Sequence, residues 1–313
     1  MEHYVTLFDS LFLPQGLALH ASLERHAGSY TLWVLCVDER AHEVLTTLAL
    51  PNVRLLRLAD WETPELLRVK PGRSRGEYCW TLTPFAPRFV FDADASVRRV
   101  TYLDADLWFC AAPAALLREF DASGKFVQIT EHAYAPEHDQ CQSSGRYCVQ
   151  FMTFVRDRGE TVRSWWADRC IEWCYARLED GKFGDQKYLD DWTERFADQV
   201  HVLQDQRLLQ APWNAIRFPP GDAAAFHFHG LRLTAGGGVL LSENYQLPLA
   251  TIRTHYEPYV GALGRAVQRL RAAGYNCAPQ VRGSALLLRA RTYAKRVRGW
   301  WRSATTQAVV RLP

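Results

Sequence analysis

Between Tyr4 and Leu56 short apolar runs alternate with amphipathic stretches, and this alternation restricts the fold more than any other feature of the chain. Tyr4 to Phe8, Thr31 to Val37 and Val53 to Leu56 read as strands, whereas Gly16 to Arg25 and a stretch from about Glu39 read as helices. A βαβαβ order needs parallel neighbouring strands covered by helices, so the class is α/β. A helical stretch from Glu77 to Phe91 and a strand from Val100 to Leu103 continue the series. That strand runs into Thr101-Tyr-Leu-Asp-Ala-Asp-Leu-Trp-Phe109, which carries Asp104 and Asp106 two residues apart. On a strand such a pair points to one side. Ligands of open α/β sheets collect outside the carboxyl ends of the strands, where Asp9 also falls, after the first strand. Three carboxylates on one rim call for a hydroxylated ligand or a hard cation such as Mn²⁺ or Mg²⁺, which bridges carboxylates to phosphates.

A chain of 313 residues, 48% hydrophobic and with 11 Trp, can bury a large core without staples. Its eight cysteines are dispersed and form no CxxC pair, so they read as reduced thiols rather than zinc half-sites. No run of eighteen apolar residues occurs, and the start, MEHYVTLFDSLF, has neither a basic region nor a small-residue cleavage site. A cytoplasmic protein is expected.

The segment Gly181-Lys-Phe-Gly-Asp-Gln-Lys-Tyr-Leu-Asp-Asp-Trp192 follows a Trp- and Arg-rich helical run over about 158–179. Its two glycines are expected to end that helix, leaving Asp185 in the first turn of the next. The strand-like Ala-Ala-Phe-His-Phe-His229 places His227 and His229 on one side, and a neutral imidazole is an acceptable partner for two carboxylates at a metal.

Taken in order, FDS at the first strand, EYCWTLTPFAPRFVF, TYLDADLWF, FGDQKYLDDW, APWN and HFHG resemble the elements of GT-A-fold nucleotide-sugar glycosyltransferases. The likeness spans about residues 4–230 and is greatest to the family eight type and its bacterial lipopolysaccharide and surface-polysaccharide relatives. It implies a GT-A, Rossmann-like mixed sheet flanked by helices. It also implies transfer of a sugar from a nucleotide diphosphate donor, such as a UDP-sugar, to a saccharide or lipid-linked glycan, with retention at the anomeric carbon. In that reading Asp9 contacts the nucleotide, while Asp104 and Asp106 hold Mn²⁺ or Mg²⁺ on the diphosphate. His227 matches the third ligand, with His229 as the alternative. The lysine that follows this histidine in the relatives is replaced by Leu233, so the adjacent Arg232 is the candidate for the phosphates, together with Lys187. Asp185 and Gln186 would line the donor sugar, and Trp213 and Asn214 would stack on and hydrogen-bond a pyranose. Where relatives have an N-x-G strand this chain has Cys148 and Gln150, a change expected to alter sugar or acceptor choice.

Two other classes fit less well. A transferase fold that keeps nucleotide-sugar affinity as a scaffold but has lost turnover would not need this full set of acidic and imidazole groups. A nucleotidyltransferase would open with a Gly-rich phosphate loop, which FDSLFLPQG lacks. Charge divides the chain: its net charge is +3, yet after Glu257 there are 11 Lys and Arg and no acid, leaving −8 on residues 1–257. The expected organisation is a catalytic domain over 1–257 and a basic helical extension over 258–313. Within the extension Leu286, Ala290, Tyr293, Val297 and Trp300 recur as one helical stripe, and Arg291, Lys295, Arg298 and Arg302 lie opposite. Residues 284–302 therefore suit an anionic membrane surface, which places the protein peripherally on the cytoplasmic face of an inner membrane. No nucleic-acid motif accompanies the basic residues, so nucleic acid is not an expected partner.

Overall fold

The computed structural model describes residues 1–284 and 309–312. Its centre is a seven-stranded mixed sheet in the order β3-β2-β1-β4-β7-β6-β8. Strands β1 (Glu2–Phe8), β2 (Tyr30–Cys36), β3 (Val53–Arg57) and β4 (Arg99–Leu103) run parallel to one another. The short β5 (Leu107–Phe109) leaves this sheet, while β6 (Val127–Glu131) and β7 (Tyr147–Val155) return to it antiparallel to each other. Strand β7 also pairs antiparallel with β4, and β8 (Val200–Val202) closes the far edge parallel to β6.

The period-two pattern of the sequence becomes two cores, one on each face of the sheet. Tyr4 and Phe8 of β1 and Leu32, Val34 and Cys36 of β2 face one way. Val5, Leu7, Trp33 and Leu35 face the other. Helices cover both faces, and their ends are marked locally. Asp38 accepts from the Ala41 N–H to cap the Glu39–Leu48 helix, and Ser74 and Glu77 form a reciprocal capping box at Arg75–Leu82. The Leu13–His26 helix packs so closely that a Cβ on Gly16 would lie 2.4 Å from the Phe8 ring.

Two expected helices are shorter than the sequence suggested. The stretch from Glu77 to Phe91 is two helices, Arg75–Leu82 and Phe85–Ala93, because Pro84 lacks the N–H that a continuous helix would use. The run over 158–179 is helical only at Glu160–Glu172. Trp173 turns extended to bury its ring, and Asp180 and Gly181, both at positive φ, form a tight turn bridging Glu179 and Lys182.

A second sheet carries β5, β9 (Leu209–Gln210) and β10 (Ala225–His227), with β10 antiparallel to β5. A third has the order β13-β11-β12-β14, built from β11 (Arg232–Ala235), β12 (Gly238–Leu240), β13 (Val281–Ser284) and β14 (Val309–Arg311). The Glu257–Ala272 helix buries Tyr259, Leu263, Val267 and Leu270 between this sheet and the Leu13–His26 helix. The tail helix expected at 284–302 lies, apart from Ser284, outside the described residues. No described helix is long and apolar enough to cross a membrane.

Candidate metal and donor site

The acidic pair sits just past the carboxyl end of β4, in a turn closed by the Leu107 N–H donating to the Asp104 carbonyl at 3.1 Å. It is therefore this turn, not strand alternation, that brings the two carboxylates together. The chain then enters β5, which pairs with β10 so that Leu107 lies opposite His227. The Phe228 N–H donates to the Asp106 carbonyl at 3.0 Å and extends that ladder. Register alone thus puts the imidazole beside the acids. His227 Nε2 is 3.0 Å from Asp106 Oδ1 and 3.6 Å from Asp104 Oδ2. One ligand atom from each of the three residues lies within 4.8 Å of the other two. The carboxylates keep 24% and 15% of their side-chain exposure and the imidazole 5%, so the acids meet the cleft and the histidine backs them.

The three charges of this cluster act on one another at close range. Burial opposes ionisation of Asp106, but His227 beside it and the bond between them hold the carboxyl down at about 2. Asp104 goes up, through burial first and then against the attraction of His227, while the Tyr102 hydroxyl donates to its Oδ1 at 2.9 Å. Burial would lower His227, yet Asp106 and Asp104 together raise its pKa well above the ordinary histidine value. Two carboxylates and one imidazole are a donor set suited to a divalent cation with hard-oxygen preference, and the residues present fit such an ion.

Asp185 lies within electrostatic reach of this pair. Burial, and then the Asp104 charge, push its carboxyl up to about 7, against a smaller lowering influence of Thr83. Its Oδ2 has no hydrogen-bond partner among the described residues. Asp9 stands at the end of the adjacent strand β1, where the Leu11 N–H donates to Oδ1 at 2.8 Å and Arg75 pairs with Oδ2. The same guanidinium reaches Asp38, so Arg75 bridges the ends of β1 and β2.

No protein-family model matches the chain. It is 28% identical over 287 residues to the uncharacterized protein YfnD of Bacillus subtilis (strain 168), covering 87% of this chain and 91% of that one. To the uncharacterized protein YfnF of the same organism it is 35% identical over 205 residues, 64% of this chain and 68% of YfnF. The chain belongs to the YfnF family. Among solved structures the fold is similar to that of the WbbM bifunctional glycosyltransferase, with a TM-score of 0.52 and 14% identity over 88% of this chain and 52% of that one. It is similar also to GlyE of Streptococcus pneumoniae TIGR4, with a TM-score of 0.51 and 14% identity over 87% of this chain and 64% of GlyE. At such identities the likeness is one of fold. This YfnF-family chain thus has the mixed sheet flanked by helices expected of it, consistent with the GT-A arrangement.

The remaining candidates surround the triad in different ways. Arg232, on β11, acts electrostatically on both Asp106 and His229. His229 is lowered to about 4 by burial and by His227, and is therefore neutral. Trp213 sets its ring edge-on to His227 and His229, at centroid distances of 5.4 and 5.5 Å. Its indole N–H donates to the His132 carbonyl at 2.8 Å. Asn214 is fully buried, with Oδ1 accepting from the Ala211 N–H and Nδ2 donating to the His132 carbonyl, so backbone groups occupy its amide. Gln186 Nε2 donates to the Ser144 carbonyl at 2.7 Å, and Lys187 Nζ reaches the Cys141 carbonyl and Asp190 Oδ2. These two side chains tie the segment around Asp185 to the short Cys141–Ser144 helix before β7.

Sequence reasoning missed Tyr102, Asp38 and Arg75. Tyr102 had a usable signal, since it precedes Asp104 by two residues at a strand end. Arg75 had none: it enters from a helix far from either acid in the chain. Asp185 is not a first-turn cap, because the preceding helix ends at Glu172 and the carboxyl is buried in a turn.

Proposed function

We propose that this chain is a metal-dependent glycosyltransferase that moves a sugar from a nucleotide diphosphate donor, a UDP-sugar by preference, to a saccharide or lipid-linked glycan with retention at the anomeric carbon. The observation that carries this reading is the convergence of Asp104, Asp106 and His227 at the end of β4, within a fold similar to that of two glycosyltransferases. Asp104, Asp106 and His227 would hold Mn²⁺ or Mg²⁺, which when bound supplies positive charge to the diphosphate leaving group. The rest falls to the protein. Arg232 adds a guanidinium on the same side, able to take phosphate oxygens bidentately. Asp185, with its carboxyl pushed up to about 7 and an oxygen without a partner among the described residues, can accept from or donate to a sugar hydroxyl in the donor. Asp9, at the rim of β1, would meet the nucleotide, and Arg75 beside it can follow or release that contact. Residues 284–302 would hold the enzyme at an anionic membrane surface, where a lipid-linked acceptor resides.

The test is incubation with a panel of nucleotide sugars and Mn²⁺ or Mg²⁺, reading nucleoside diphosphate release by mass spectrometry. Release from one donor, abolished by EDTA, is expected. Donor binding without release from any member would instead support the scaffold reading.

A further inference from the structure

Gln150 stands where the related sequences are expected to have a small residue, and its surroundings show a different use for the position. It lies on β7 opposite the end of β4, fully buried, and its backbone carbonyl accepts from the Asp104 N–H at 3.0 Å. Its side-chain Oε1 is 2.7 Å from His227 Nδ1. One residue therefore touches two of the three metal-site residues, Asp104 through its main chain and His227 through its side chain.

We infer that Gln150 is a positioning residue that fixes His227 in the Nδ1–H tautomer, so that Nε2 presents its lone pair to a cation held by Asp104 and Asp106. The inference deepens the metal reading above and rests on it for its consequence, though not for its geometry. An amide oxygen can only accept, so Nδ1 must carry the proton in this pair. The other ring nitrogen already faces the two carboxylates, at 3.0 and 3.6 Å. With the amide turned over, Nδ1 would accept from Nε2–H of Gln150, the imidazole proton would sit on the nitrogen facing the carboxylates, and the lone pair would be lost to the cation. Metal-bound histidines commonly donate their second N–H to an oxygen acceptor, which orients the ring and raises its basicity. Here that acceptor is a glutamine carbonyl on the central sheet. The Cys148 thiol, two residues earlier on the same strand, also lies against the His227 ring but is a much weaker acceptor. Gln150 Nε2 has no partner among the described residues, which leaves Oε1 as the amide's only engaged atom.

The test uses the full chain with ring-¹⁵N-labelled histidine, with the His227 signals assigned by their loss in His227→Gln. At pH 8 with saturating Mg²⁺, long-range ¹H–¹⁵N spectra of the wild type are expected to show a proton on Nδ1 and none on Nε2, whereas without metal both ring nitrogens carry one, because the carboxylates hold the ring charged. A metal-bound His227 ring that keeps its proton on Nε2 overturns the inference. Mn²⁺ affinity, read by electron paramagnetic resonance, should fall about 10–100-fold in Gln150→Leu and recover in Gln150→Glu, whose carboxylate accepts the same N–H. Unchanged affinity in a folded Gln150→Leu protein also overturns it. If the wild type binds neither cation, the metal reading fails by itself, and the metal-free ring still decides the role of Gln150. The ring's Nδ1–H signal should then move in Gln150→Leu and return in Gln150→Glu, and no movement overturns the inference.

Discussion

Asp185 is the residue whose environment most changes its chemistry. Its carboxyl titrates near 7 in the fold against 3.8 in an unfolded chain, through burial and the neighbouring Asp104 charge. Between those values the folded state keeps a proton that the unfolded state has lost, so this group's contribution to stability falls as pH rises from about 4 to about 7. Asp185→Asn removes that penalty. In EDTA the variant should melt close to wild type at pH 4 and be more stable at pH 8, by up to a few kcal/mol. Equal melting temperatures at both pH values would show that the carboxyl is not buried against charge as described. Transfer by the same variant should fall far more than nucleoside diphosphate affinity, because the carboxyl is expected on the sugar side. Asp104→Asn and Asp106→Asn should each abolish metal-dependent transfer by weakening Mn²⁺ binding more than about 100-fold, with the fold intact by circular dichroism. Retained cation binding in either would remove that residue from the ligand set.

At the scale of elements, close approach is the constraint that substitution can probe. Gly16 lets the Leu13–His26 helix seat on the Phe8 ring at the end of β1, directly before Asp9. An added methyl must push the ring or the helix away, so Gly16→Ala should cost about 1–3 kcal/mol in chemical denaturation, despite the gain in helix propensity. A neutral or stabilising result would mean that the ring swings aside freely. The elements also show what the sequence could and could not convey. Strands β1 to β4 and the helices between the first three were legible because their apolar periodicity is local. Pro84 was an equally local signal that divides one expected helix, whereas the end of the other at Glu172 follows from the burial of Trp173 and had no such local mark. The pairing of β5 with β10 was not legible, since nothing in either three-residue strand specifies a partner more than a hundred residues away. Asp104, Asp106 and His227 were therefore read by motif, whereas the register that joins them, and the Gln150 contact behind His227, exist only in the tertiary structure.

At the scale of the molecule the charge is segregated, with −8 on residues 1–257 and 11 basic residues after Glu257. Part of that basic extension is integral to the fold. The Glu257–Ala272 helix packs on the Leu13–His26 helix, and β14 pairs with β12, with Val310 opposite Val239. Removing everything after residue 283 would strip a strand from the third sheet and confuse membrane binding with misfolding. Substitution within 284–302 avoids this. Arg291, Lys295, Arg298 and Arg302 lie opposite the apolar stripe on a helical wheel, and each basic group near an anionic surface contributes roughly 1 kcal/mol. Changing all four to Gln should therefore weaken co-sedimentation with anionic liposomes by about a thousandfold at low salt, leaving the melting temperature near that of wild type. Wild-type binding should also fall as salt screens the surface, and neutral liposomes should recover little protein. A tail drawn instead to the acidic residues 1–257 would give no liposome binding by the wild type at any salt concentration. Binding undiminished in the fourfold variant would place the attraction elsewhere in the chain.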